Sequence, residues 1–312
     1  MAVAALFSSH SPLMGTNLRG SEVEREVQEQ FARLGEWVAQ FKPDLIIEIA
    51  PDHFNGFFYQ LMPSFCIGVE AQSVADYSTP GGKLNIDEEL AEQCVSYLHR
   101  SGVDVAISYD MQVDHGLTQL PSLLFEWEKV PPMIPVFVNC AAPPRPPMER
   151  VIKLGEAIGE FAATLDCNVL IMASGGLSHD PPLPALKTAP PEVRKRLVEG
   201  GPLAPEARAA RQERALAEGL KSAAGESDIL DLNPEWDQQF MEHLANRDFA
   251  AIKQYTDEDI SRLGGCGGHE IRSWVAAGAA LNAVGSYTAR TWYYQPIAAW
   301  IAGFGIMTAE LG

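Results

Sequence analysis

The stretch NVLIMASGGLSHDPP, residues 168–182, runs an apolar segment, Val169 to Met172, into Ser174-Gly175-Gly176 and sets a histidine, His179, three residues beyond. A short apolar run that stops at glycines reads as a buried strand ending in a turn. Glycine there lets the backbone turn closely and present the histidine beyond it. The same kind of run recurs at Val3–Phe7, Leu45–Ala50, Phe65–Val69, Val103–Ser108 and Ile134–Val138. Between several of them lie segments with apolar residues at three and four spacing. The clearest is Ser21–Phe41, with Val23, Val27, Phe31, Leu34, Trp37 and Val38 on one stripe. Ile86–His99, Met148–Leu165 and Pro205–Ala223 also read as helices, the last with proline at its first position. Alternating strand and helix predicts an α/β fold with one central sheet covered on both faces.

The final third reads as mostly helical, from Pro234 to Asn246 and from His269 to Val284. The tail YYQPIAAWIAGFGIM, rich in aromatic and small residues, reads as a buried closing segment or a subunit contact. The charged, proline-rich piece from Pro184 to Ala204 reads as an exposed excursion. No repeat or long linker divides the chain, so residues 1–312 are expected to form a single domain.

Four of the seven histidines follow apolar runs: His10 in LFSSHSPL, His53 in APDHFNGFF, His115 in MQVDHGL, and His179. That is the C-terminal edge of the sheet, where open α/β folds bind ligands. His99 and His243, among charges on helical segments, read as surface residues, as does His269 at a helix start. Any one loop histidine is ordinarily bonded to backbone; four at equivalent places point to a site. Metal is the natural reason to gather neutral imidazoles. The carboxylate such a site needs has a candidate in Glu270 of GGCGGHEIRSW, at a helix start where the dipole favours an anion. Two histidines and a carboxylate form the facial triad of non-haem iron, which leaves coordination positions open. Adjacent residues in an extended stretch point opposite ways, so Asp114 and Asp180 read as loop or capping acids rather than partners of His115 and His179.

Lys plus Arg is 23 against 41 Asp plus Glu, a net charge of −18, which excludes phosphate-rich partners: no nucleic acid and no anionic membrane. No uncharged run reaches the roughly 20 residues of a membrane span, and the apolar N-terminus lacks the plan of a signal peptide. Five scattered cysteines without a CxxC pair indicate a reducing, cytoplasmic location.

The motifs SSHSPL, APDHFNGFFY, MQVDHGLTQ, SGGLSH and HEIRSWVAA, in this order and through essentially the whole chain, resemble the class III extradiol catechol dioxygenases. The resemblance implies a three-layer α/β/α fold and a single Fe(2+) ion, Fe(II), held by His10, His53 and Glu270. It implies His115 as proton donor and His179 as proton acceptor. It also implies ring opening of a catechol by O2 in the degradation of aromatic compounds, and a homo-oligomer, a tetramer or larger. The implied substrate is a catechol with a three-carbon acid chain, 3-(2,3-dihydroxyphenyl)propionate or 2,3-dihydroxycinnamate. Histidine, with an ordinary pKa of about 6.5, suits removal of a catechol proton at neutral pH. The acid chain calls for Arg or Lys, with Arg272 and Arg290 as candidates. Rival readings are the same chemistry on another catechol or an aminophenol, a Zn2+ hydrolase on the same ligands, and a non-catalytic binding or signalling relative.

Overall fold

The protein is described by a computed structural model covering residues 2–312. Its strands are β1 (Val3–Ser8), β2 (Leu45–Ala50), β3 (Phe65–Gly68), β4 (Ala71–Val74), β5 (Gly81–Lys83), β6 (Ala106–Ser108), β7 (Met111–Val113), β8 (Met133–Val138), β9 (Val169–Ser174), β10 (Tyr287–Ile297) and β11 (Ala302–Leu311). Its helices are α1 (Glu22–Phe41), α2 (Glu88–Arg100), α3 (His115–Leu124), α4 (Met148–Ala162), α5 (Pro191–Glu199), α6 (Pro205–Ala224), α7 (Pro234–Ala245), α8 (Phe249–Ile252), α9 (Asp257–Gly264) and α10 (Ile271–Val284).

Eight strands form one sheet in the order β10-β11-β1-β9-β2-β8-β3-β6. The central four, β1, β9, β2 and β8, are mutually parallel. Every residue in them is buried, which is why they read as unbroken apolar runs. One face packs on α2, α4, α7 and α10, and the other on α1 and α3. This is the expected three-layer α/β/α arrangement.

The helices obey their local signals. Ser21 caps α1 by accepting the Glu24 amide at 3.1 Å, and Val27, Phe31, Leu34 and Val38 bury the stripe. Pro205 and Pro234 open α6 and α7, and Gly225, in the left-handed region at φ 70°, ends α6. Helix α10 is buried on all sides from Ile271 to Leu281. It lies so close to α4 that a Cβ on Gly155 or Gly159 would fall 2.2 Å from the Ala276 carbonyl oxygen or 1.9 Å from that of Ala280.

Three expectations change. The final third, read as mostly helical, ends in strands: β10 and β11 form an antiparallel hairpin, β11 pairs with β1, and β11 is buried along most of its length, as a closing segment. The run Val103–Ser108 yields only the three residues of β6, and His115 does not follow it directly. A second sheet, β5-β4-β7, intervenes and delivers His115 to the start of α3. The excursion from Pro184 to Ala204 contains α5, whose Leu197 is 1% exposed and packs with Phe54 and Ala142.

Candidate metal centre and active-site pocket

Because β1 and β9 are parallel and in register, with Ser8 beside Ser174, the residues that succeed them leave the sheet at one level. β2 runs alongside β9, with Ile49 beside Ala173, and its continuation adds His53. Glu270 stands at the start of α10. Trp274 of α10 donates its indole N–H to the Gly175 carbonyl at 2.9 Å, which ties that helix to the turn after β9.

The Glu270 carboxylate is the hub. Its Oε1 lies 3.2 Å from His53 Nε2 and 3.2 Å from His179 Nε2, and its Oε2 lies 3.5 Å from His10 Nε2. The Gly176 amide donates to Oε2 at 2.7 Å. Each imidazole is fixed through its other nitrogen. His10 Nδ1 meets Ser174 Oγ at 3.0 Å, and His53 Nδ1 meets Asp114 Oδ2 at 3.2 Å. His179 Nδ1 lies 3.0 Å from the Leu177 carbonyl, which can only accept, so Nδ1 carries the proton and Nε2 faces the site as the basic nitrogen. His115 Nδ1 meets Asp76 Oδ2 at 2.6 Å, and its own amide donates to Asp76 Oδ1 at 2.8 Å.

All five expected residues therefore converge. The rings of His53 and His115 stack at 4.4 Å between centroids, and His10 stands edge-on to both at 5.3 and 5.4 Å. His10, His53 and His115 also bring one nitrogen each within 4.8 Å of the others, so proximity alone permits a second ligand triplet. Glu270 distinguishes the two: its carboxylate touches His10 and His53 but makes no hydrogen bond with His115. Atoms bound side by side on one octahedral ion at about 2.1 Å lie about 3 Å apart, close to the 3.2 and 3.5 Å from Glu270 to His53 and His10. These nitrogen and oxygen donors, with the imidazoles held from behind, fit a divalent transition metal.

Charge obeys the same plan. Burial would raise the Glu270 carboxyl, but the surrounding imidazoles, His179 and His10 first, hold it well below the usual carboxylate range. Burial lowers His10 to about 3, so its imidazole is neutral, as a ligand must be. Burial also acts to lower His53 and His179, and there the carboxylates win: Asp114 and Glu270 raise His53, and Glu270 raises His179.

The glycines of the Ser174–His179 turn serve these groups. A Cβ on Gly175 would sit 2.8 Å from the Glu270 carbonyl oxygen, and one on Gly176 would sit 2.4 Å from the His179 ring. Gly267, on the other side, would bring a Cβ within 2.1 Å of His179 Nε2. The His179 imidazole is thus held in a slot between two glycines.

Asp114 caps α3 through the Gly116 amide and holds His53 rather than its neighbour His115. Asp180 accepts from the Cys266 and Leu230 amides, as a loop acid. His99 is exposed and His243 half-buried. His269 is not a surface residue: it is fully buried, between Arg272 and Ser261. Neither Arg272 nor Arg290 reaches the pocket. Arg272 is buried against Pro146, His269 and Asp257, and Arg290 stacks over Trp292.

Sequence reasoning missed Asp76, Ser174 and Tyr77. Asp76 and Tyr77 sit in a loop where Ala75, Tyr77 and Ser78 adopt positive φ of 54°, 45° and 63°, a costly conformation for such residues. Tyr77 stands edge-on to His115 at 5.0 Å. A cavity of about 700 Å³ opens over the four histidines, walled by Leu183, Leu197 and Trp300 among others. That volume suits a small organic ligand.

The family described as the catalytic LigB subunit of aromatic ring-opening dioxygenase matches residues 4–305. Three relatives are named 2,3-dihydroxyphenylpropionate/2,3-dihydroxicinnamic acid 1,2-dioxygenase. The protein from Photorhabdus laumondii is 44% identical over 99% of this chain and 98% of its own. That from Rhodococcus jostii is 45% identical over 99% and 98%, and that from Azotobacter vinelandii 47% over 97% of each. The crystal structure of an uncharacterized Escherichia coli K12 protein shares the fold, with a TM-score of 0.50 over 99% of each chain at 14% identity. The chain belongs to the family of catalytic LigB subunits of aromatic ring-opening dioxygenases.

Proposed function

We propose that this dioxygenase is an Fe(II) extradiol enzyme that opens 3-(2,3-dihydroxyphenyl)propionate, and 2,3-dihydroxycinnamate, beside the diol. Both atoms of O2 enter the product, which for the propionate is 2-hydroxy-6-oxonona-2,4-dienedioate. Family membership implies a metal cofactor. His10, His53 and Glu270 would hold it, and Fe(II) there would bring catechol and O2 together and pass electrons between them.

The observation that carries this reading is the convergence of His10, His53 and His179 on one buried carboxylate, with His115 stacked on His53. The chain's own groups then have distinct tasks. His179, whose Nδ1 proton is committed to Leu177, offers Nε2 as the base that takes a catechol hydroxyl proton. His115, anchored through Nδ1 to Asp76, would act as the acid with a second proton on Nε2, which passes to oxygen when the O–O bond breaks.

The test joins metal and role. Protein loaded anaerobically with Fe(II), then given the catechol and O2, should take up O2 and form a yellow conjugated product. Replacing His179 or His115 with Gln should keep iron and lower turnover about 10²–10⁴-fold. Replacing His10, His53 or Glu270 should lose iron. No O2 uptake by wild type, or loss of iron from the His179 variant, sinks the assignment.

We also infer a reducing cytoplasmic location, supported by five cysteines that are all free, and one domain. The assembly is read as a homotetramer or larger, which light scattering would measure. Among the described residues, no helix is long and apolar enough to cross a membrane.

A further inference from the structure

One wall of the cavity carries a group of cations. Arg196 of α5 and Arg211 and Arg214 of α6 all line it. In a chain of net charge −18, none of these three makes an ion pair among the described residues. Lys221, farther along α6, is paired with Glu218 at 3.6 Å.

Two of the arginines are aimed by the metal loop itself. Arg211 Nη2 donates to the His53 carbonyl at 2.8 Å, and Arg196 Nη2 donates to the Phe54 carbonyl at 3.0 Å. Each spends one nitrogen on the backbone beside a proposed ligand and keeps its remaining N–H groups. Arg196 Nε is buried and has no partner among the described residues. A buried donor without an acceptor is costly, and a planar guanidinium accepts a carboxylate through two parallel hydrogen bonds.

We propose that Arg196 and Arg211, with the exposed Arg214 at the mouth, form the subsite for the substrate's side-chain carboxylate, so that the enzyme selects catechols carrying an anionic chain. This rests on the ring-cleavage reading above. It gives the segment between β9 and α7 a purpose: α5 and α6 bring the cations over a site whose metal-binding groups all come from elsewhere. Because the same arginines tie themselves to His53 and Phe54, the distance from diol to carboxylate is set by one short loop.

The test compares 3-(2,3-dihydroxyphenyl)propionate with its neutral amide, 3-(2,3-dihydroxyphenyl)propanamide, on the Fe(II)-loaded enzyme. Wild type should favour the acid in kcat/KM on the order of 10–100-fold, as charge-assisted hydrogen bonds of this kind allow. In R196Q and R211Q that preference should collapse towards unity, mainly through KM for the acid, with the acid losing more in kcat/KM than the amide. R196K, which keeps the charge, should restore part of it. Equal wild-type rates on acid and amide overturn the subsite and leave ring cleavage standing. Parallel losses on both substrates in the variants also overturn it, by showing that the arginines only brace the loop. A wild type that opens neither catechol removes the ring-cleavage reading and the subsite with it.

Discussion

At the scale of single residues, this site is built by pairing each imidazole with one fixed partner. Ser174, Asp114, Asp76 and the Leu177 carbonyl each take one nitrogen of His10, His53, His115 and His179. That fixes which nitrogen faces the pocket, and a proton-transfer role depends on it. Space matters as much as bonding. Gly267 has an ordinary φ of −84°, so it is glycine for room rather than for conformation. Gly267→Ala would force the His179 ring out of its slot. We expect turnover to fall by about 10²-fold or more with iron content unchanged, read by metal analysis beside steady-state rates. Loss of iron together with activity would instead place Gly267 in support of the metal.

At the scale of elements, α10 is the part that must not move. It carries Glu270 at its start, and its packing against α4 depends on Gly155 and Gly159. Gly159→Leu should destabilise the protein by about 1–3 kcal/mol or more, as overpacking does, and weaken metal retention by shifting Glu270. Denaturant unfolding and iron content after dialysis would measure both. The approach to α10 is held by His269. Arg272 can only donate, so His269 Nδ1 accepts from it and Nε2–H donates to Ser261 Oγ at 2.8 Å. Burial, with Arg145 and Arg272 nearby, lowers His269 to about 2, far below the ordinary 6.5. Below pH 6.5 the unfolded chain takes up a proton that the folded chain refuses, so this contribution is complete above 6.5 and lost as pH falls towards 2. The slope is about 1.4 kcal/mol per pH unit for one proton. Unfolding free energies at pH 7.5 and 5 should therefore converge in His269→Gln relative to wild type.

At the scale of the whole molecule, the two ends of the chain build the site together. The Ser9 amide donates to the Gly305 carbonyl at 2.8 Å, the Ser9 hydroxyl donates to the Gly303 carbonyl, and the Gly305 amide returns to Ser9 Oγ. The hairpin thus fastens the turn that presents His10. A chain ending at Gly285 would leave β1 as an open edge. It should be largely insoluble or lack a cooperative melt, which circular dichroism during heating would register.

The central strands were legible because a strand buried on both faces must be apolar throughout, and glycine or histidine marks where each one stops. The helices were legible because a single buried stripe imposes its period. His10, His53, His115 and His179 were legible as chemistry, since few other uses gather histidines after strands, and Glu270 was legible only as a candidate for the carboxylate such a site needs. The rest depended on distance in space. β5 is Gly-Gly-Lys and exposed, so no pattern marks it. The C-terminal hairpin mixes exposed polar residues with buried and half-buried aromatics, without clean alternation. Asp76 reaches His115 across 39 residues, and Arg211 reaches His53 across 158. What the sequence by itself determined here was the layered fold and the inventory of reactive groups, because burial and period leave marks on neighbouring residues. What only the tertiary structure decided was which nitrogen of each imidazole faces the pocket and which arginines look into it, because those depend on contacts between segments far apart in the chain.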